Sequence, residues 1–377
     1  MKRYALFPLF TLALTACGGG GDSSNTTTSS SAMSVEGKIE QVSGSTITVN
    51  THSYDVSSLA YQGKPLDSNM LVPNMMVALH TNARANNSAS VELDPTFTGK
   101  ITNIDRLQGT FNVSGVPLTF IRLSPTIQNG DWVMVSTLPT ANMGYKVLSV
   151  VGFEYDANGM AEAEGRVTNV NFENNTFKLG NSLTVLFDER LVNNIKKLRN
   201  GAWAEVLGSY NESTGQLVAE SIKLKTFNTI NGKGEIEGVV TWVANDFSRF
   251  EVNYRGQFDV VPSTEFDDGS KSQLRTGVTV EVEYVSKNNR TIAKEIEFED
   301  DFDFDFDWDD YEFEYKGYVS DINPVAQSFQ LKGKTIFTDS NTDYEDGLSF
   351  DALNGINLEV EGVLIGSDHV AREISKD

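Results

Sequence analysis

Five segments of the chain begin alike, with a glycine followed by alternating polar and apolar positions. They are Gly37-Lys-Ile-Glu-Gln-Val42, Gly99-Lys-Ile-Thr-Asn-Ile104, Gly165-Arg-Val-Thr-Asn-Val170, Gly238-Val-Val-Thr-Trp-Val243 and Gly317-Tyr-Val-Ser-Asp-Ile322. Successive strand residues point to opposite faces, so this period of two, rich in Ile and Val, predicts a β-strand at each site. A turn and a second alternating run follow: Ile47-Thr-Val49, Phe111-Asn-Val113, Phe177-Lys-Leu179, Phe250-Glu-Val252 and Phe329-Gln-Leu331. Further on the period lengthens. Leu191, Ile195 and Leu198 stand at i, i+4 and i+7, predicting a short helix stopped by Asn200-Gly201. Leu274 precedes Thr276-Gly277, and Leu353 precedes Asn354-Gly355, in the same way. In the first segment Asn74 replaces the stop glycine, and Asn also tolerates a left-handed backbone. The second segment reaches Gly130 sooner, without room for the helix. Another strand follows each stop, and the last strand carries Ala-x-x-Ile at Ala219–Ile222, Ala293–Ile296 and Ala371–Ile374.

Each unit therefore reads strand, strand, strand, short helix, strand, strand. That order matches the OB-fold, a five-stranded Greek-key barrel. The predicted fold is mainly β: a tandem array of about five small OB-like barrels, each with at most one short helix. The boundaries fall at 35–96, 97–160, 161–230, 231–300 and 311–377, with an acidic-aromatic connector at 301–310. On the five Gly-x-[Ile/Val] starts, the Phe-x-[Val/Leu] second strands and the Ala-x-x-Ile endings, the chain from Val35 onward resembles the family known as domain of unknown function 5666. Members look like bacterial lipoproteins with repeated units. The resemblance implies this architecture and an exported location, and it implies no activity.

The amino terminus has its own pattern. Lys2-Arg3, an apolar run from Ala5 to Leu14, and Leu14-Thr15-Ala16-Cys17 read as a signal peptide over residues 1–16. The small residues before Cys17 resemble the bacterial lipoprotein signal, which implies acylation of Cys17 and a membrane anchor. Gly18 rather than Asp follows the cysteine, so the outer membrane is the expected address. Residues 17–34 hold the lipidated cysteine and a Gly/Ser/Thr-rich tether. Cys17 is the only cysteine, which excludes an intramolecular disulfide.

Charge narrows the function. The formal net charge is −22 with no basic cluster, which argues against binding a nucleic-acid backbone. Catalytic motifs are missing: there is no Gly-x-Ser-x-Gly and no His-Glu-x-x-His. Lys332-Gly333-Lys334-Thr335 imitates a P-loop ending, but Ser328 stands where its first glycine belongs. Asp339, Asn341 and Asp343 begin like a calcium loop, which fails at Tyr344 and Phe350. The related segments Thr264–Gly269 and Thr342–Gly347 read instead as acidic starts of helices. Phe111, Phe177, Phe250 and Phe329 occupy equivalent positions, as barrel core residues should.

Residues 297–314 carry eleven acids and no basic residue. Phe302, Phe304, Phe306 and Trp308 alternate with Asp303, Asp305 and Asp307. The aromatics are candidate anchors for a basic protein partner, and the three aspartates are candidate weak calcium ligands; no other cofactor is expected. The function expected from all this is a lipid-anchored, non-enzymatic envelope protein that binds a protein or other ligand in the periplasm or at the cell surface. A passive envelope spacer and an enzyme with a site between barrels are the alternatives.

Overall fold

The computed structural model describes residues 33–81, 87–140, 143–153, 159–192, 195–225, 232–287, 290–299 and 311–377. Unit one contains β1 (Ser34–Ser43), β2 (Thr46–Val49), β3 (His52–Tyr61), β4 (Lys64–Pro65), β5 (Met76–Thr81) and β6 (Ser88–Leu93). Unit two contains β7 (Phe97–Asp105), β8 (Thr110–Val113), β9 (Val116–Thr119), β10 (Trp132–Pro139) and β11 (Tyr145–Gly152). Unit three contains β12 (Ala161–Asn171), β13 (Thr176–Leu179), β14 (Leu183–Leu186), β15 (Trp203–Asn211) and β16 (Gln216–Lys225). Unit four contains β17 (Lys233–Val243), β18 (Arg249–Val252), β19 (Gly256–Asp259), β20 (Glu265–Asp267), β21 (Thr279–Lys287) and β22 (Arg290–Phe298). Unit five contains β23 (Glu312–Tyr318), β24 (Ser320–Asn323), β25 (Ser328–Leu331), β26 (Lys334–Phe337), β27 (Asp343–Tyr344), β28 (Asn357–Ile365) and β29 (Asp368–Lys376).

In unit three the pairing runs β12-β13-β14-β16-β15 and returns to β12, with β14 and β16 parallel. This is a small closed five-stranded barrel. The same ring of pairings occurs in units one and four, and in unit five with β23 and β24 sharing the first-strand role. In unit two, no ladder joins β9 to β11 among the described residues.

The repeated residues have shared physical jobs. The residue two after each leading glycine is Ile39, Ile101, Val167, Val240 or Val319, and all five are buried. Its carbonyl accepts from the amide of Asn74, Gly130, Gly201, Gly277 or Gly355 at 2.7–3.1 Å. All five of these partners are left-handed, including Asn74 at φ 67°. The leading glycine itself lies under the turn joining the second and third strands. A Cβ on Gly37, Gly99 or Gly238 would strike the side chain of Asn50, Ser114 or Asn253.

The short helices are the main correction. Between the third and fourth strands the described residues form only single 3-10 turns, Ser68–Met70, Glu189–Leu191, Ile195–Lys197, Lys271–Gln273 and Phe350–Ala352. Leu191, Ile195 and Leu198 still face the core, with Leu198 fully buried, so the period was right and the length too short to propagate an α-helix. The acidic segments ahead of them are not helix starts. They form β20 and β27, which pair parallel with β22 and β29. Thr264 and Thr342 lock them there, each hydroxyl donating to the carbonyl of Ala293 or Ala371 at 2.8 and 2.7 Å. The P-loop look-alike is the β25–β26 hairpin turn, with Lys332 and Gly333 both left-handed, as a two-residue turn between strands requires.

The units do not form an open string. β1 pairs parallel with β17, joining units one and four, and β7 pairs with β12, joining units two and three. Leu138, Met143 and Leu148 of unit two, Trp242 and Tyr254 of unit four, and Val363 and Ile365 of unit five share one apolar cluster. Met76 of unit one and Trp203 of unit three pack against it.

Candidate functional site: an acidic face on unit four

Unit four is built from strands that alternate apolar and acidic residues. Ile236, Val282 and Ile296 face its core. The positions between them are glutamates, and register aligns them. Glu235 pairs with Glu283, Glu283 with Glu295, and Glu295 with Glu265. In the next row Glu237 pairs with Glu281, Glu281 with Glu297, and Glu297 with Asp267. Paired residues on neighbouring strands share a face, so eight carboxylates form a two-by-four grid on the outside of this unit. Adjacent strands are about 4.8 Å apart, and like charges at that spacing repel. Burial, followed by neighbouring carboxylates, accordingly raises the Glu295 and Glu297 carboxyls above their ordinary range.

Unit one covers one end of the grid. Glu235, Glu237 and Glu281 are buried there, whereas Glu265, Asp267 and Glu283 are exposed and Glu295 and Glu297 half-buried. The covered end shows how the face takes a cation: the Lys38 ammonium reaches Glu237 and lies 2.9 Å from Glu299, and the Lys38 amide donates to Glu237 at 2.8 Å. Three lysine hydrogen bonds to two carboxylates make a local model of a basic side chain docked on this surface.

Other buried charges bolt units together. Lys225 lies in a nest of Asp94, Glu164 and Glu205, at 2.5, 2.6 and 3.7 Å. Burial opposes the Asp94 charge, but the Lys225 ammonium outweighs it and holds the carboxyl below its ordinary range. Asp339 bridges Arg166 of unit three and Arg372 of its own unit, and Arg372 meets Glu251 of unit four at 3.0 Å. Asn341 donates to Glu251 at 3.0 Å, and Asp343 pairs with Arg249. The segment that imitates a calcium loop is therefore committed to neighbouring arginines and a glutamate.

A separate groove of about 370 Å³ runs between units two and three. Trp132, Tyr210, Lys100, Asn112 and Glu212 line it, an aromatic and polar set.

The sequence-predicted site residues divide cleanly. Cys17, Phe302, Asp303, Phe304, Asp305, Phe306, Asp307 and Trp308 lie outside the described residues. The connector's flanks are described: Phe298 stacks on Phe266, and Phe313 and Tyr315 of β23 pack against the core of unit five. Phe111, Phe177, Phe250 and Phe329 are buried in cores. The grid itself escaped the sequence reading, although its signal was present. Glu-x-Glu occurs at 235–237, 281–283 and 295–297, all in one unit. Such pairs are common in so acidic a chain, and only register shows that these align.

Residues 164–223, 237–297 and 316–375 each match a domain of unknown function (DUF5666). Over these three segments the chain is similar to that family. The three DUF5666 segments coincide with units three, four and five, each starting on the first strand and ending on the last. Units one and two lie outside the matched segments but repeat the same hydrogen bonds between the first strand and the left-handed stop. No curated protein matches the chain.

Proposed function

We propose that this DUF5666-like protein is a non-enzymatic binding protein of the bacterial envelope, held at the outer membrane by acyl chains on Cys17. In this reading its five units are OB-like barrels packed into one body, and unit four presents the acidic face to a basic protein partner. One observation carries the reading: the register of β17, β20, β21 and β22 that sets eight carboxylates in two rows. A face held so acidic is costly for the fold alone, and a cationic partner relieves the repulsion. The run at 297–314 continues the same acidic character from the end of β22, and its aromatics would add apolar anchors that charge cannot supply. Sequence-wide acidity makes binding steeply salt-dependent.

Binding of the detergent-solubilised full chain to an oligolysine peptide and to basic proteins from envelope extract tests this. The triple variant Glu265→Gln, Asp267→Asn, Glu283→Gln keeps shape and removes three exposed charges. Affinity should fall about tenfold or more and lose much of its salt dependence. Equal affinity in the variant and the natural chain would move the interaction off this face.

A further inference from the structure

At the covered end of the grid His52, Glu235, Glu281 and Asn50 come together, and five of their side-chain oxygen and nitrogen atoms have no aligned hydrogen-bond partner. One ligand atom each from His52, Glu235 and Glu281 lies within 4.8 Å of the others. Neither oxygen of Glu235 has an aligned hydrogen-bond partner, nor does Oε2 of Glu281. No lysine or arginine among the described residues ion-pairs with either carboxylate. Asn50, 1% exposed, has both amide atoms unpartnered and is close to Glu235 without being aligned to it.

The repeat explains why Asn50 is free. Its equivalent in unit four, Asn253, accepts from the amide of Val239 at 2.9 Å. The equivalent amide in unit one belongs to Lys38, and it donates to Glu237 instead. Asn50 thereby loses its local partner at the place where unit one meets Glu235.

His52 is arranged as a ligand would be. Its Nδ1 is 2.7 Å from the Asn50 carbonyl, an oxygen that can only accept, so Nδ1 carries the proton and Nε2 the lone pair. A ring N–H held by a backbone carbonyl is the usual support of a metal-bound histidine. The contrast with Asp94, Glu164 and Glu205 is informative. That carboxylate cluster is filled by the Lys225 ammonium, whereas the His52 cluster receives no ammonium or guanidinium from the protein.

We propose that Glu235, Glu281, His52 and the Asn50 amide oxygen bind one divalent cation that clamps unit one onto unit four. Two carboxylates, one imidazole and one amide oxygen are a mixed nitrogen–oxygen set that suits Zn²⁺ over Ca²⁺ or Mg²⁺. The ligand atoms of His52, Glu235 and Glu281 lie within 4.8 Å of one another and would have to close to about 2.0–2.2 Å from the ion. The site joins buried Glu235, Glu281 and Asn50 to the exposed His52 and needs no external partner, so it stands or falls separately from the partner-binding face.

Zn²⁺ titration of chelator-stripped full-length chain tests the assignment, with bound metal counted by elemental analysis and melting followed in parallel. One Zn²⁺ per chain is expected, with a rise in melting temperature, and Ca²⁺ or Mg²⁺ should bind at least about a hundredfold more weakly. Glu281→Gln keeps the shape and should abolish stoichiometric binding. His52→Ala, at an exposed hairpin position, should weaken it at least tenfold while the metal-free protein stays folded. His80→Ala and His369→Ala should leave it unchanged. No retained Zn²⁺, retention that survives both Glu281→Gln and His52→Ala, or retention lost with His80 or His369 would overturn the assignment. Tighter Ca²⁺ binding that ignores His52→Ala would also overturn it.

Discussion

Arg372 is fully buried and reaches charges on two units, so its removal has a calculable effect. Its Nε lies 3.0 Å from Glu251 and its Nη1 3.6 Å from Asp339. Glu251 is also fully buried. At an effective dielectric near 20, unit charges at these separations attract by roughly 5 kcal/mol each. Most of that attraction offsets the loss of hydration, so the net worth of the pair is far smaller. Removing one partner is different, because the other keeps its desolvation penalty. Arg372→Met should strand Glu251, although Thr241 and Asn341 still donate to it at 3.0 Å. Asp339 keeps Arg166. The expected loss is about 3–5 kcal/mol. The double variant Arg372→Met, Glu251→Gln removes both charges, keeps a carbonyl acceptor for Asn341 and offers an amide N–H that the Thr241 hydroxyl can accept. It should recover about 2 kcal/mol of the loss. Urea unfolding followed by tryptophan fluorescence suits the measurement, since the buried Trp242 sits in the cluster shared between units. An unchanged midpoint in Arg372→Met, or a double variant as unstable as the sum of the singles, would refute the stranded-charge argument.

Three further outcomes follow from the same geometry. Gly238→Ala drives a Cβ into Asn253, so it should cost about 2 kcal/mol, whereas Gly44→Ala meets open space and pays only about 1 kcal/mol for its left-handed backbone; thermal melts should rank them in that order. Burial lifts the Glu373 carboxyl to about 7 despite the nearby Arg249, against an ordinary value of 4.5. The folded state therefore holds a proton that the unfolded chain releases, so this stability is complete below about pH 4.5 and is lost as pH rises through 7. From pH 5 to pH 8 the natural chain should lose about 1–2 kcal/mol more than Glu373→Gln, and parallel pH slopes in urea melts would contradict that sign. On the proposed anchoring, Cys17→Ser removes the thiol that would accept the lipid, and the protein should leave the membrane fraction; unchanged fractionation would remove the anchor from the proposal.

Strands were legible in the sequence because they alternate, and turns because Gly and Asn mark left-handed residues. Asn74 was identifiable as a stand-in for glycine on that ground. The 3-10 turns were misread because i, i+4, i+7 apolar spacing describes a buried stripe without fixing how many turns sustain it. Thr264 and Thr342 were invisible as anchors, since a hydroxyl's carbonyl partner 29 residues away leaves no local pattern. Inter-unit contacts were out of reach for the same reason. Lys38 meets Glu237, and Arg166 meets Asp339, across separations that no periodicity encodes.

Charges flanking the leading glycines argue for what fixes the packing of the units. Glu36 pairs with Arg255, Lys38 with Glu237 and Arg166 with Asp339, each across a unit boundary, and Glu164 holds the Lys225 ammonium that reaches Asp94 of unit one. An apolar seam alone tolerates sliding, because one aliphatic contact resembles another. A buried charge does not, since a shifted register would leave it unpaired at a cost of several kcal/mol. These pairs therefore select one arrangement even where they add little net stability. Glu162 satisfies the same rule with a neutral donor, the Tyr61 hydroxyl of unit one. Glu235 occupies the corresponding strand position in unit four and is as buried, yet it faces Glu281, Asn50 and His52 and no ammonium or guanidinium. One shared proton would neutralise half of that carboxylate pair and still leave Asn50 unsatisfied. A divalent cation neutralises both carboxylates, takes the amide oxygen and uses the free imidazole nitrogen. On that accounting the junction of units one and four follows the rule of its neighbours, with a metal ion supplying the charge that Lys225 supplies between units one and three.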